Sequence, residues 1–239
     1  MTDAERDRGI SRLAPELYAG WRAADIGVLT ERLERALIVE LAGPVAGKSV
    51  LDIGCGDGEL ALDLAARGAR AVAGIDASER MIAAARARPG AARVAFEVAA
   101  AEALPFPAAS FDLAVAITIL CFVEDAAPVF AEIARVLRPG GRLVIGELGK
   151  WSSWAAARRI RAWAGSRLWA RARFRTRREL AGLAEAAGLS VETVRGAVFF
   201  PRLAPLARLL APLDPTLGRA TTFGAAFIAL AAEKRARRH

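Results

Sequence analysis

A doubly wound α/β fold, with a mainly parallel sheet and helices on both faces, is predicted by three features of the sequence. Short apolar segments alternate with helix-period segments between residues 45 and 148, the pattern of consecutive βαβ units. The first apolar segment runs straight into a glycine-rich loop, Asp52-Ile53-Gly54-Cys55-Gly56-Asp57-Gly58. The second ends in an acid, Asp76, 24 residues after Asp52. In open sheets of this kind ligands sit at the carboxyl ends of the strands, near the point where strand order reverses, and both features fall there.

The elements follow in order. Residues 10–42 carry helical spacing, with Leu29, Leu33, Leu37 and Leu41 on one stripe and Gly43-Pro44 as the stop. Ser49–Ile53 reads as a short buried strand, Gly58–Arg67 as a helix closed by Gly68, and Ala71–Ile75 as the second strand. Ser78 is positioned to cap a helix that runs to Ala87 and ends at Pro89-Gly90. Arg93–Val98 is the third strand. Phe111–Ile117, the most apolar, is the fourth and is expected at the centre of the sheet. Asp125–Leu137 reads as a helix closed by Pro139-Gly140-Gly141, and Arg142–Glu147 as the fifth strand.

Beyond Lys150 the character changes. Residues 151–178 hold Trp151, Trp154, Trp163, Trp169 and nine arginines. Trp151, Trp154, Ile160 and Trp163 are expected to share a broad apolar face, with Arg158, Arg159 and Arg161 toward its polar side. Thr176–Ala187 reads as a helix, Leu189–Arg195 as a strand, 196–222 as Pro-rich and irregular with short helical stretches, and Thr222–Ala231 as the last strand.

The 239 residues suit a single domain: 1–44 a helical cover, 45–150 the ligand-binding core, 151–222 a basic Trp/Arg-rich cap with the C-terminal elements, and 223–232 the last strand. Apolar residues make up 54% of the chain, enough for a large core. The charged start lacks the apolar stretch of a secretory signal, and the longest apolar run, Leu113–Val123, is too short to span a bilayer, so a cytoplasmic location is expected. The net charge of +8 is uneven: residues 1–150 carry −4 and residues 151–239 carry +12. A basic half attracts nucleic acid, anionic lipid or an anionic substrate. Only three of the 34 basic residues are Lys, however, an Arg bias that a GC-rich genome also produces.

The glycine loop carries the chemistry. Glycines at 54, 56 and 58 permit a sharp turn and close approach to a ligand, and the helix behind them offers free N–H groups. The spacing is not G-x-G-x-x-G, and Asp52 stands two residues before the first glycine. A carboxylate there repels a pyrophosphate and suits a ligand with an ammonium and a sulfonium, as in S-adenosylmethionine (SAM). At the end of the second strand, Asp76 is placed to accept hydrogen bonds from ribose hydroxyls.

The segment VLDIGCGDGELALDLAARGARAVAGID resembles the first motif and acidic loop of the class I SAM-dependent methyltransferases. AEALPFPAASFDLAVA and FAEIARVLRPGGRLVIGEL resemble the next two stretches of that family, in the branch containing ubiquinone/menaquinone C-methyltransferases and many small-molecule enzymes. The resemblance covers residues 45–148 and implies a Rossmann-like seven-stranded sheet of order 3-2-1-4-5-7-6 with the last strand antiparallel. It implies that Gly54, Gly56 and Gly58 line the amino-acid moiety of SAM and that Asp52 orients it. It places Asp76 on the ribose, Ala77 against the adenine, Ala101 and Glu102 beside the adenine edge, and Ile117 and Thr118 near the methionine part. One departure stands out: the family often carries an Asp at the place of Ala100, so the adenine amino group needs Glu102 or backbone here.

The remaining candidates are sparse. Cys55 and Cys121 lack an activating neighbour in sequence and read as small buried fillers. His239 is the only histidine and the last residue, which leaves no Ser-His-Asp machinery, and no metal-ligand cluster is visible. Methyl transfer needs neither, because proximity and orientation supply much of its rate. Should a base be required, Glu147 is the first candidate, with Glu124, Asp125 and Tyr18 behind it; Tyr18 and Trp21 are placed either to touch substrate or simply to pack. For the Trp/Arg segment three readings stay open: a cap over an apolar or anionic substrate, a membrane-surface helix giving peripheral membrane contact through 151–178, or plain structure with solvated arginines. The sequence therefore reads as a methyltransferase acting on a small-molecule acceptor, without metal and with no nucleic acid expected. An RNA methyltransferase and a non-catalytic SAM-binding protein are the alternatives.

Overall fold

The computed structural model describes residues 24–235. Seven strands form one sheet in the order β3-β2-β1-β4-β5-β7-β6, the order the resemblance implies. Strands β1 (Ser49–Ile53), β2 (Ala71–Asp76), β3 (Val94–Val98), β4 (Phe111–Ile117) and β5 (Leu137–Leu148) are parallel. β7 (Phe227–Lys234) lies antiparallel between β5 and β6 (Leu189–Ala197). All five residues of β1 are buried, as a strand covered on both faces requires. β1 pairs with β2 on one side and β4 on the other, so chain order reverses beside it and a crevice opens at its carboxyl end.

Helices close both faces. α1 (Asp25–Ala42), α2 (Glu59–Ala66) and α3 (Glu79–Arg86) pack on one face through Leu37, Ile38, Leu41, Leu64 and Ile82. Residues 10–23 of the expected first helix lie outside the described residues. α4 (Ala127–Val136) packs on the other face through Phe130 and Ile133. Farther along, α5 (Ser153–Trp163), α6 (Arg167–Arg171), α7 (Arg177–Ala186), α8 (Ala204–Leu210) and α9 (Asp214–Ala220) complete the chain. Leu180 and Ala184 of α7 join the core on the α4 side. Ser78 caps α3 as expected, its side chain accepting from the Met81 N–H. Among the described residues no helix is long and apolar enough to cross a membrane.

Three expectations are corrected. The helix before β5 ends at Val136, and Leu137 already pairs with Phe111 ahead of the Pro139-Gly140-Gly141 turn. The last strand begins at Phe227 rather than Thr222 and runs on to Lys234. Its start is set by pairing with Leu148 at the end of β5, and residues 222–225 turn instead, with Gly224 at φ +88°. The shared apolar face on α5 does not form: Trp154 is 2% exposed, while Trp151, Ile160 and Trp163 are 56%, 65% and 92% exposed. Trp151 precedes the helix, and Ile160 and Trp163 come round to the side away from Trp154.

The end of β6 is held by a buried acid. Asp214, at the start of α9, accepts from the Val198 N–H at 2.9 Å and the Phe199 N–H at 2.8 Å, where Val198 adopts φ +63°. Asp214→Ala leaves both buried donors without a partner. It is expected to lower unfolding free energy by about 2 kcal/mol, read as a lower urea midpoint with an unchanged slope.

Candidate active site

A cavity of about 250 Å³ opens at the carboxyl ends of β1, β2 and β4. Asp52, Gly54, Gly56, Asp76, Ala77, Ala101, Glu102, Ile117 and Thr118 all lie on its wall. Gly58 does not; a Cβ there would press on the Phe96 ring at 2.6 Å, so this glycine serves packing beneath the loop. Gly54 is held by close approach, since a Cβ would come within 2.1 Å of Ile119 Cγ2. A Cβ at Gly56 would meet no protein atom within 4 Å, so a ligand can approach this stretch of backbone.

Asp76 organises the loop. Its Oδ2 accepts from the Gly56 N–H at 3.0 Å and its Oδ1 from the Ser78 N–H at 2.9 Å. Each oxygen keeps acceptor capacity for a hydroxyl. Burial raises the Asp76 pKa despite these two bonds.

Asp52 is in a more demanding position. It is 2% exposed, and its Oδ2 has no hydrogen-bond partner. Burial, and then repulsion from Asp76, push its pKa up to about 7, against the opposing pull of the Ala61 N–H and Arg35. Arg35 is itself engaged by Glu31 at 3.0 Å and by a short contact with Glu59. An unpaired carboxylate oxygen in a cavity wall calls for a cationic or N–H-bearing ligand group.

The segment after β4 forms the next wall. Thr118 holds φ +53°, an outlying conformation for a β-branched residue and one that concentrates at functional sites. Its N–H donates to the Gly146 carbonyl at 2.7 Å. Below it, Glu147 is fully buried, its Oε1 accepting from the Leu120 N–H at 2.7 Å. Glu147 is absent from the cavity wall. The first candidate base is therefore a positioning residue for the 118–123 segment, with a pKa pushed up to about 8 by burial. Glu124 and Asp125 are exposed and off the wall, Asp125 accepting from the Ala127 N–H. Tyr18 and Trp21 lie outside the described residues. Burial pushes the thiols of Cys55 and Cys121 above their ordinary pKa, away from nucleophilic use.

Sequence reasoning missed the contribution of α1. Glu31, Glu34, Arg35 and Ile38 line the cavity, as do Met81, Phe122 and Val123. Their i, i+3, i+4, i+7 spacing on α1 was legible, but nothing in the sequence said which face meets the sheet ends. Glu34 is the notable member, with a pKa pushed up to about 8 by burial, against the pull of Arg158.

Fold and cavity together define a methyltransferase-type α/β protein, and comparison with known proteins gives the family. Residues 51–145 match the model described as a methyltransferase domain. The chain is 35% identical to a ubiquinone biosynthesis O-methyltransferase of Thiobacillus denitrificans, across 74% of this chain and 78% of that one. It is 43% identical to 27-O-demethylrifamycin SV methyltransferase of Amycolatopsis mediterranei, over 55% of this chain and 50% of that one. A crystal structure of a SAM-dependent methyltransferase from Thermotoga maritima, described as a possible histamine N-methyltransferase, superposes with a TM-score of 0.75 at 25% identity, covering 96% of this chain and all of that one. The chain belongs to the SAM-dependent methyltransferase family. It spans about half the length of several curated relatives that it matches.

Asp52→Asn removes the buried charge and keeps an acceptor for the Ala61 N–H. The folded-state pKa of Asp52, about 7, lies above the unfolded value of about 3.9. Asp52 therefore costs the wild type stability as pH rises from about 4 to 7, and the variant lacks that contribution. The ligand-free variant is expected to melt above wild type at pH 8, by up to the shift that about 4 kcal/mol gives, with the difference vanishing near pH 4. Its affinity for S-adenosylhomocysteine is expected to fall by about tenfold or more. Calorimetric melting and titration check both.

Proposed function

We propose that this chain transfers the methyl group of SAM to a hydroxyl oxygen of a small, largely apolar or anionic acceptor, releasing S-adenosylhomocysteine. The observation that carries this reading is the unpaired, buried Asp52 oxygen on the wall of a cavity whose glycine loop is fixed by Asp76. A buried carboxylate oxygen without a partner calls for one, and this one faces the cavity. The family's methyl donor has an ammonium group to meet it.

Bound SAM supplies an electrophilic methyl group on a sulfonium. Toward it, Asp52 would hold the ammonium, Gly54 and Gly56 would let the backbone approach the amino-acid part, and Asp76 would accept from the ribose. Ala77, Ala101 and Glu102 would flank the adenine, with Ala100 taking no polar part. Ile117 and Thr118 would lie along the methionine chain. On the acceptor side, Ile38, Ile119, Phe122 and Val123 supply an apolar wall. Glu34 is the base in this reading: it accepts the hydroxyl proton, and its pKa near 8 lies close to working pH, where proton transfer is most effective. The names of the Amycolatopsis and Thiobacillus relatives support an oxygen acceptor on a small molecule rather than RNA.

Incubation of a host-cell extract with methyl-tritiated SAM is expected to place label in a small-molecule fraction, and Asp76→Ala to abolish it. Label in RNA would contradict the reading. So would absence of label with SAM binding intact, which marks a non-catalytic binder. With the acceptor recovered from that fraction, Glu34→Gln is expected to lower kcat by about 100-fold and to remove the acid limb of the kcat profile near pH 8. Its S-adenosylhomocysteine affinity should match wild type.

A further inference from the structure

Beside the cavity lies a cationic cluster that the transfer of a methyl group does not use. Arg158, on α5, has its Nε and Nη1 closed to solvent and without a hydrogen-bond partner. Its guanidinium lies over two indole rings, 4.8 Å from the Trp169 centroid and 5.5 Å from that of Trp154. Arg202 lies over the Trp154 ring as well, at 5.0 Å. Trp154 is an immobile platform: it is buried, and its Nε1–H donates to the Phe200 carbonyl at 2.7 Å.

The electrostatics of this cluster are unbalanced. Burial lowers the Arg158 pKa, and repulsion from Arg202 and Arg161 lowers it further. Glu34 is the carboxylate that Arg158 feels most strongly, one acid facing Arg158, Arg202 and Arg161. Like charges gathered in a partly buried site are unfavourable unless an anion joins them. Stacking on an indole covers the faces of a guanidinium and leaves its recognition of a carboxylate or phosphate to its N–H edges; at Arg158 two of those N–H groups are buried and unsatisfied.

The cluster also stands where an acceptor would end. The cap is joined to the wall segment there, the Arg173 N–H just after α6 donating to the Cys121 carbonyl at 3.0 Å. Glu34 is on the cavity wall, and Cys121 sits between the wall residues Ile119 and Phe122. We infer that Arg158 and Arg202, stacked on Trp154 and Trp169, receive an oxyanion of the methyl acceptor, a carboxylate or a phosphate, so that the substrate is an organic acid held with its reacting end in the cavity. This inference rests on the methyl-transfer reading above. The apolar wall between the two ends, Ile38, Ile119, Phe122 and Val123, accommodates the body of the substrate.

The test uses the full chain saturated with S-adenosylhomocysteine. Inorganic phosphate and benzoate are titrated against chloride at constant ionic strength, with the melting temperature as readout. Wild type is expected to show a saturable rise with one or both anions. Arg158→Met is expected to weaken that response by about tenfold, with S-adenosylhomocysteine affinity within about twofold of wild type. Should Arg158→Met not fold, Arg158→Lys and Arg202→Gln take its place, each weakening the response at least about threefold. A wild-type response no larger than that to chloride, or one that these substitutions leave intact, overturns the inference.

A second arm identifies the source of the anion. Tritiated product from the extract is passed over an anion exchanger and partitioned between water and organic solvent. Retained label supports an acidic acceptor, in the aqueous phase a soluble acid and in the organic phase a lipid. Label that passes through unretained overturns the assignment of the anion to the acceptor. Loss of all label while the anion response persists refutes the methyl-transfer reading itself, and the acceptor assignment falls with it.

Discussion

Two carboxylates, Asp52 and Asp76, stand at the carboxyl ends of neighbouring parallel strands, Asp52 buried and Asp76 half-buried. Burying like charges side by side is unfavourable, so each needs a compensating arrangement. Asp76 has one within the protein, in the N–H groups of Gly56 and Ser78. Asp52 has only part of one: an oxygen is left over and its proton affinity rises. The sheet thus stores an unmet demand for positive charge at the point where strand order reverses, and a cationic ligand can meet it. The glycine loop, the buried first strand and the approach of α1 all serve to place that demand.

The acceptor side is built from segments that the sheet holds indirectly. Glu147 fixes the segment after β4 from below through the Leu120 N–H, and Thr118 keeps its strained backbone with the help of the Gly146 carbonyl. Gly54 lets Ile119 come down onto the glycine loop. The glycine loop and the segment after β4 therefore touch through one glycine. From the other side, α1 brings Glu34, and the cap brings Arg158 toward it. In the proposed reading the chemistry is divided in the same way: the sheet ends would recognise the donor, while α1 and the cap would meet the acceptor.

The donor half was legible in the sequence because its signals are local. A glycine loop after a strand, an acid at the next strand end and period-2 against period-3.6 patterning lie within short windows, and nine of the ten residues singled out there line one cavity, whatever it holds. Gly58 departs because its requirement is tertiary, the Phe96 ring lying against it. Glu147 was misread for a similar reason. The end of a strand is the right place for a base, but whether the side chain faces the cavity or the protein depends on the Leu120 N–H, which no spacing reveals. The cap was least legible. Trp154 is held in by a bond to the Phe200 carbonyl, a partner 46 residues away in the chain, and without it four apolar residues read as one face. The role of α1 was hidden too, since periodicity gives a stripe and not its neighbour.

Burial pushes the Asp52 pKa up to about 7, so a donor ammonium bound there would draw a proton off the carboxyl at mildly acid pH, and proton release on binding reads that step. Titration calorimetry of S-adenosylhomocysteine at pH 6, in buffers of different ionisation enthalpy, counts the protons that leave the protein. The account requires about one proton released per site at pH 6 and about none at pH 8.5, on either side of the Asp52 value, and no release at either pH in Asp52→Asn. Binding at pH 6 without proton release, or release that persists unchanged in the variant, would contradict it.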